Sequence, residues 1–334
     1  MISNSGSPAR RATILDVAAA AGVSRQTVTR AMNNMPGIKA DTRERVQALA
    51  MELGYTPSRF AKGLVQGART SLGLAIPDLT NPYYPAFASS VVEFATHRGW
   101  HVVMDDYGHG GGSGLDAVAH LAPQVDAVIG YLGGAVEAAQ AILGRRPLVV
   151  LDRAAGAAAG GISFDYCHAA SLALDHLRGS GRRHIAYVDT RHGSSRSVRG
   201  RAFVSISRES GRPLTVVNAA ESAQAARQAV RALLLRRPDT DGLVVFNDLM
   251  AAGVLKALAD AGRKVPQDCA VIGMDGIPLG ELVSPELTTL SLDLREVGRA
   301  AVELLAGLLA GTIAPGSDAA DLRFRHRLVL RQSA

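Results

Sequence analysis

At 334 residues the chain has room for about two or three domains with cores of their own. Hydrophobic residues make up 47 %, yet no stretch is apolar and long enough to span a bilayer, and Cys167 and Cys269 alone form no disulfide framework. Membrane-embedded and disulfide-scaffold classes are excluded, and a reducing cytoplasm is the expected setting. The formal charge of +6 lies in the first fifth of the chain: residues 1–70 hold ten Lys/Arg against four Asp/Glu, whereas residues 71–334 hold 26 of each. Such asymmetry points to a polyanion-binding head on a neutral body.

Residues 1–11, MISNSGSPARR, carry basic residues without an apolar segment behind them, so they read as a disordered arm and not as a secretory signal. From Thr13 the pattern becomes helical. Thr13 and Asp16 form a shortened capping box, and Val17, Ala18 and Ala21 share one face. Gly22 supplies a left-handed stop, Val23 can plug the gap, and Ser24 can cap a second helix with Val28 and Ala31 inward. Arg25, Gln26, Thr29 and Arg30 then lie on its surface. Two short helices joined by a three-residue turn predict a helix-turn-helix; an ordinary helical hairpin with a solvated charged face is the alternative. In the first reading Arg and Gln bond guanine or adenine edges, and Thr offers a hydroxyl and a methyl. Ser24 and Thr27 touch phosphates or simply cap.

A third helix is predicted over DTRERVQALAMELGY, with Val46, Leu49, Ala50 and Leu53 on one stripe and Gly54 at its end. Beyond Pro57, SRFAKGLVQ is a poor helix in isolation because of Gly63 and Gly67, which suits a linker that folds on a partner. TILDVAAAAGVSRQTVTRAMN, TRERVQALAMELGYTPSRFAKGL and their spacing resemble the headpiece of the LacI/GalR family of bacterial transcription regulators. The resemblance implies a headpiece at 12–57 and a hinge at 58–69. It also implies base-reading positions at Arg25, Gln26 and Arg30, and a minor-groove wedge at Leu64. The full set of expected DNA contacts is Thr13, Ser24, Arg25, Gln26, Thr27, Thr29, Arg30, Asn33, Ser58, Lys62 and Leu64. Gly63 departs from the family, which often has a larger polar residue there.

After Arg69 short apolar runs alternate with Ala-rich helical stretches. SLGLAIPD, HVVMDD, DAVIGYL, PLVVLDR, HIAYVDT, GLVVFND, CAVIGMD and TTLSLD read as buried parallel strands of an α/β fold. Asp78, Asp105, Asp152, Asp189, Asn247 and Asp275 stand at strand ends, where they either converge on a ligand crevice or cap the following helices. Across this region DLTNPYYPAF, SVRGRAF, FNDLMAAGVL and VIGMDGIPLGELVSPELTTL resemble the family's effector-binding core. The resemblance implies an α/β core of two Rossmann-like, periplasmic-binding-protein-like lobes, 70–165 with 294–325 and 166–293 with 326–334, beside an all-α helix-turn-helix headpiece. It places Tyr83, Tyr84, Asp152, Ser195, Arg199, Asn247 and Asp275 around the effector. Alanines around Asn218–Glu221 stand where many relatives have a stacking aromatic, and Ala202 replaces a usual glycine.

GHGGGSG lacks the GK[ST] ending of a phosphate loop and reads as a flexible loop. No HExxH, GxSxG or ligand-spaced histidine cluster occurs, so no cofactor, metal or catalytic set is expected, and the two cysteines read as small buried residues. The expectation is a cytoplasmic repressor, homodimeric on near-palindromic operator DNA, controlled by a small molecule, a sugar or sugar derivative, with no membrane partner. A solute-binding transport protein predicts an export signal and no basic head; a nucleotide-dependent enzyme predicts a phosphate loop or catalytic constellation.

Overall fold

The computed structural model describes residues 13–32, 35–53, 70–108, 111–153, 156, 159–192 and 195–334, the side chains at 191, 192 and 195 excepted. The chain divides into two units, Met1–Thr70 and Ser71–Ala334.

In the first unit, helices α1 (Ile14–Ala21), α2 (Arg25–Met32) and α3 (Ala40–Glu52) pack around Val17, Ala18, Ala21, Val28, Ala31, Val46 and Ala50. So small a core needs polar ties, and α3 supplies two: Gln47 Nε2 donates to the Ala31 carbonyl at 3.0 Å and Arg43 to that of Met35 at 2.8 Å. Leu53, expected on the buried stripe, is 40 % exposed. It is the C-cap of α3 (φ −78°, ψ −2°), so the helix ends before its side chain can reach the core.

The second unit runs β1 (Ser71–Ile76), α4 (Tyr83–His97), β2 (His101–Asp106), α5 (Gly114–Leu121), β3 (Ala127–Gly130), α6 (Val136–Leu143), β4 (Leu148–Leu151) and β5 (Gly160–Phe164). It continues with α7 (Tyr166–Gly179), β6 (Ile185–His192), β7 (Ser195–Arg196), α8 (Val198–Glu209), β8 (Thr215–Ala219), α9 (Ala223–Arg236), β9 (Gly242–Val245) and α10 (Asp248–Asp260). The last elements are β10 (Ala270–Asp275), α11 (Leu279–Leu282), β11 (Thr288–Ser291), α12 (Leu294–Ala310), β12 (Asp321–Phe324) and β13 (Arg327–Val329).

The strands form two sheets. The first has the order β12-β5-β4-β3-β1-β2, all parallel. The second runs β13-β11-β10-β9-β6-β8, with β13 antiparallel and β7 folded back on the end of β6. Interior strands are covered on both faces, which is why β3, β4, β9 and β10 are buried end to end. HVVMDD is the exception to the expected burial. As β2 it is the edge of the first sheet, and none of its residues is fully buried. Cys167 is likewise exposed, on the first turn of α7, whereas Cys269 is buried and its thiol pushed up to about 12 by burial. In the glycine-rich stretch, Ser113 caps α5 in a capping box with Asp116; positions 109 and 110 lie outside the described residues.

The chain passes between the sheets three times: at Asp165 between β5 and α7, at Leu292–Asp293 between β11 and α12, and at Arg325–His326 between β12 and β13. Helix α12 thus returns to the first sheet and lies against α4. Gly298 makes that approach possible, since a Cβ there would collide with the Ser90 side chain. Ser90 Oγ itself bonds the carbonyls of Phe87 at 2.7 Å and Leu294 at 3.0 Å, so it cannot retreat cheaply. Gly298→Val is therefore expected to lower stability by about 1–3 kcal/mol, read as a lower urea midpoint with an unchanged slope.

Candidate functional site

The headpiece builds its exposed polar turn from local chemistry. Thr13 Oγ1 accepts the Asp16 amide at 3.4 Å, and Asp16 Oδ2 accepts the Thr13 amide at 2.7 Å, so α1 begins with a complete capping box. Gly22 takes φ 62° and ends α1, with the next amide bonding the Ala18 carbonyl at 3.1 Å. Ser24 Oγ accepts the Thr27 amide at 3.1 Å and meets Thr27 Oγ1 at 2.9 Å. Ser24 therefore serves as the cap in this structure, and the Thr27 hydroxyl is engaged by it. Thr29 Oγ1 is turned back on the Arg25 carbonyl at 3.1 Å. What α2 leaves outward are Arg25, Gln26 and Arg30, all exposed. The free amides of a helix start and two guanidinium groups on one short helix suit a polyanion. Asn33, Ser58, Lys62 and Leu64, with the 1–11 arm and the 58–69 hinge, lie outside the described residues.

In the core, the C-terminal strand ends bring a second set together. Arg199, on the first turn of α8, is held by Ser197, whose Oγ caps the helix by accepting the Gly200 amide at 2.8 Å. Its Nη1 donates to the Phe246 carbonyl at 2.7 Å and to Asp275 Oδ1 at 3.0 Å. The guanidinium carbon lies 4.6 Å from the Phe246 ring centre and 5.5 Å from that of Tyr166. Tyr166 in turn donates its hydroxyl to Asp152 Oδ1 at 2.7 Å. Asp152 follows a strand of the first sheet and Asp275 ends one of the second, so Arg199 and Tyr166 stand between carboxylates of different lobes. Among the described residues only these two non-glycines have positive φ, 61° at Asp152 and 119° at Asp275. Strain of this kind gathers where a side chain must be aimed.

The first lobe adds an aromatic wall. Tyr83, Tyr84 and Tyr131 meet edge to face with centres 5.2–6.1 Å apart, and the Tyr83 and Tyr131 hydroxyls share a hydrogen bond of 2.8 Å. Asn247 caps α10 through Oδ1, which accepts the Met250 amide at 2.8 Å, and gives its Nδ2 to Glu221 Oε1 at 2.9 Å. Behind the site, Asp248 accepts the amides of Gly276 and Ile277 at 2.9 and 3.0 Å and the Thr289 hydroxyl at 2.6 Å, which fixes the turn after Asp275.

Burial governs the electrostatics. It pushes Asp275 up to about 8 against the pull of Arg199, raises Asp152, and raises Asp248 to about 6. Burial alone would lower Arg199; Asp275, Tyr166 and Asp152 together hold it well above its ordinary value. The phenols of Tyr83, Tyr131 and Tyr166 are pushed up by burial and stay neutral donors. One guanidinium thus faces a buried carboxyl, Asp275, and a part-buried one, Asp152, beside aromatic rings. A neutral ligand with several hydroxyl donors and an apolar face satisfies such a set.

Of the strand-end residues, Asp152, Asn247 and Asp275 belong to this cluster. The other three do not, and each has local work. Asp78 accepts the Thr80 amide at 2.8 Å, Asp105 meets His120 at 3.3 Å, and Asp189 takes the Ser197 hydroxyl that starts α8. Ser195 lies on β7, its side chain outside those described. Tyr131, Tyr166, Phe246, Asn81 and Glu221 complete the site without having been expected. Tyr131 and Phe246 follow directly on strands, a signal that a search for polar strand ends passes over. An arginine-lined hollow at Arg178, Arg182, Arg183 and Arg212 shares no residue with the cleft. Among the described residues no group of metal-ligating side chains occurs, and no helix is long and apolar enough to cross a membrane.

Residues 13–58 match the family model of bacterial regulatory proteins, lacI family, and residues 174–334 match that of the periplasmic binding protein-like domain. Catabolite control protein A of Priestia megaterium is 30 % identical over 96 % of this chain and 98 % of its own length. A LacI family transcriptional regulator of Arthrobacter sp. FB24, solved in complex with lactose, is 65 % identical, with a TM-score of 0.77 over 80 % of this chain and 99 % of its own. The lac repressor dimer bound to operator and the anti-inducer ONPF is 26 % identical, with a TM-score of 0.72 over 97 % of this chain and 99 % of its own.

The raised acids carry a pH dependence of defined sign. An unfolded aspartate titrates near about 4, so between there and about 8 the folded chain holds a proton at Asp275 that the unfolded chain has lost. Stability therefore falls as pH rises through that window, with Asp248 adding to the slope up to about 6. Asp275→Asn is expected to flatten the dependence between pH 5 and 8, read as urea midpoints of both proteins at pH 5, 6.5 and 8.

Proposed function

Because the chain belongs to the LacI family of bacterial transcription regulators, we propose that it is a cytoplasmic repressor whose hold on operator DNA is set by a sugar between its two core lobes. Residues 12–57 form the reading headpiece and 58–69 the hinge that couples it to the core at 70–334. Two chains dock as a homodimer on a near-palindromic operator, because two-fold protein symmetry asks for paired half-sites. The observation that carries the effector reading is the Arg199–Asp275 pair. It lies beside Tyr166 and Asp152, against the tyrosine wall, in an arrangement rich in acceptors for ligand hydroxyls. The lactose held by the 65 % identical neighbour supports a carbohydrate as the class.

On DNA, Arg25 and Gln26 read base edges from the first turn of α2, and Lys62 holds phosphate. Counterion release makes the affinity fall steeply with salt. Arg25→Ala is expected to cost about 1–3 kcal/mol and relax one base position in a binding-site selection, whereas Lys62→Ala weakens all sequences alike. A selection in which Arg25→Ala keeps the wild-type preference removes α2 as the reading helix.

The whole reading is tested by gel shift of the full chain on the DNA upstream of its own gene, at low salt, with and without lactose and a carbohydrate panel. The expected result is a retarded band whose midpoint shifts at least tenfold with one sugar. Absence of binding in every condition overturns the regulator reading, and binding indifferent to every sugar overturns the effector class.

A further inference from the structure

Glu221 stands between β8 and α9 in the second lobe, and its Oε1 receives two amide groups. One is Asn247 Nδ2, from the same lobe, at 2.9 Å. The other is Asn81 Nδ2 at 3.1 Å, from the segment that leads into α4 of the first lobe. Asn81 and Asn247 are 3 % and 1 % exposed, so neither can exchange this partner for bulk water without moving. Each is also committed through its other atom: Asn81 Oδ1 accepts the Tyr83 amide at 3.2 Å and Asn247 Oδ1 the Met250 amide at 2.8 Å. One carboxylate oxygen therefore fastens the starts of two helices, one in each lobe, at the place where the tyrosine wall meets Asn247. An ionised carboxylate offers about four acceptor positions, and these amides use two. Glu221 also adds negative charge toward Tyr84 and Asp275.

We propose that Glu221 is a specificity-determining residue of the cleft: it latches the lobes through Asn81 and Asn247, and its free lone pairs select a ligand that presents a hydroxyl donor over one that presents an anion. The second half rests on the sugar-binding reading above; the latch does not. With Asp275 protonated below about 8, Glu221 brings the carboxylate that favours neutral polyols over phosphorylated or acidic sugars.

Two measurements on the full chain separate the two halves. The first needs no ligand: hydrogen exchange at the Tyr83 and Met250 amides in wild type, Glu221→Ala and Glu221→Gln. Exchange is expected to quicken at least tenfold at both amides in Glu221→Ala and to stay near wild type in Glu221→Gln, whose amide oxygen still accepts from both asparagines. Unchanged exchange in Glu221→Ala overturns the latch. The second is titration calorimetry with lactose and lactose 6-phosphate. Wild type is expected to prefer lactose at least tenfold, Glu221→Ala to lose at least tenfold in lactose affinity, and Glu221→Gln to narrow the preference to under threefold. Equal discrimination in all three proteins overturns the selective role. A wild type that binds no sugar overturns the effector reading and the selective role with it, while the exchange measurement still decides the latch.

Discussion

A buried guanidinium organises the core of this regulator. Arg199 could not sit between the lobes as an isolated cation, because the cost of stripping its water would be several kcal/mol. It is tolerated because the Phe246 carbonyl and Asp275 accept from it and two aromatic faces cover it. The acids around it are held in turn. Asp275 is aimed by a backbone twist at φ 119° and by the turn that Asp248 clamps; Asp152 is aimed at φ 61° and bonded by Tyr166. Each such backbone costs of order 1–3 kcal/mol, which the surrounding close packing must offset. The same two residues carry both the unusual backbone and the raised carboxyls, and strain of this kind clusters at functional sites.

The headpiece and the core rest on different physics. Seven small apolar residues hold three helices together, and caps define where those helices start and stop. The core instead buries whole strands under helices on both faces, with one apolar cluster running from the first sheet into the second. A small module that docks on a charged surface needs little core, since its partner supplies much of the ordering. A module that must hold two lobes in register needs a great deal.

Local chemistry was legible in the sequence and long-range chemistry was not. Thr13, Gly22 and Ser24 act within four residues of themselves, so their roles in the helix-turn-helix could be read from spacing. The apolar runs became strands for the same reason. Burial of β2 was misjudged because edge or centre is a property of strand order, which no single run encodes. The rule that acids gather at strand ends found Asp152 and Asp275 but also swept in Asp78, Asp105 and Asp189, which cap and pair nearby. Glu221 escaped because its partners are 140 residues away at Asn81 and 26 away at Asn247, and an alanine-rich surface stretch gives no hint of either. The family resemblance filled part of that gap for Arg199 and Tyr83, and none of it for Tyr131 or Tyr166.

The passage of the chain through Arg325 and His326 bears on how the molecule is made. The segment before it supplies β12 to the first sheet, and the segment after it supplies β13 to the second. During translation both sheets therefore lack an edge strand until residues 321–329 have been made. Until then each lobe stays open along one edge, and one short thread closes both.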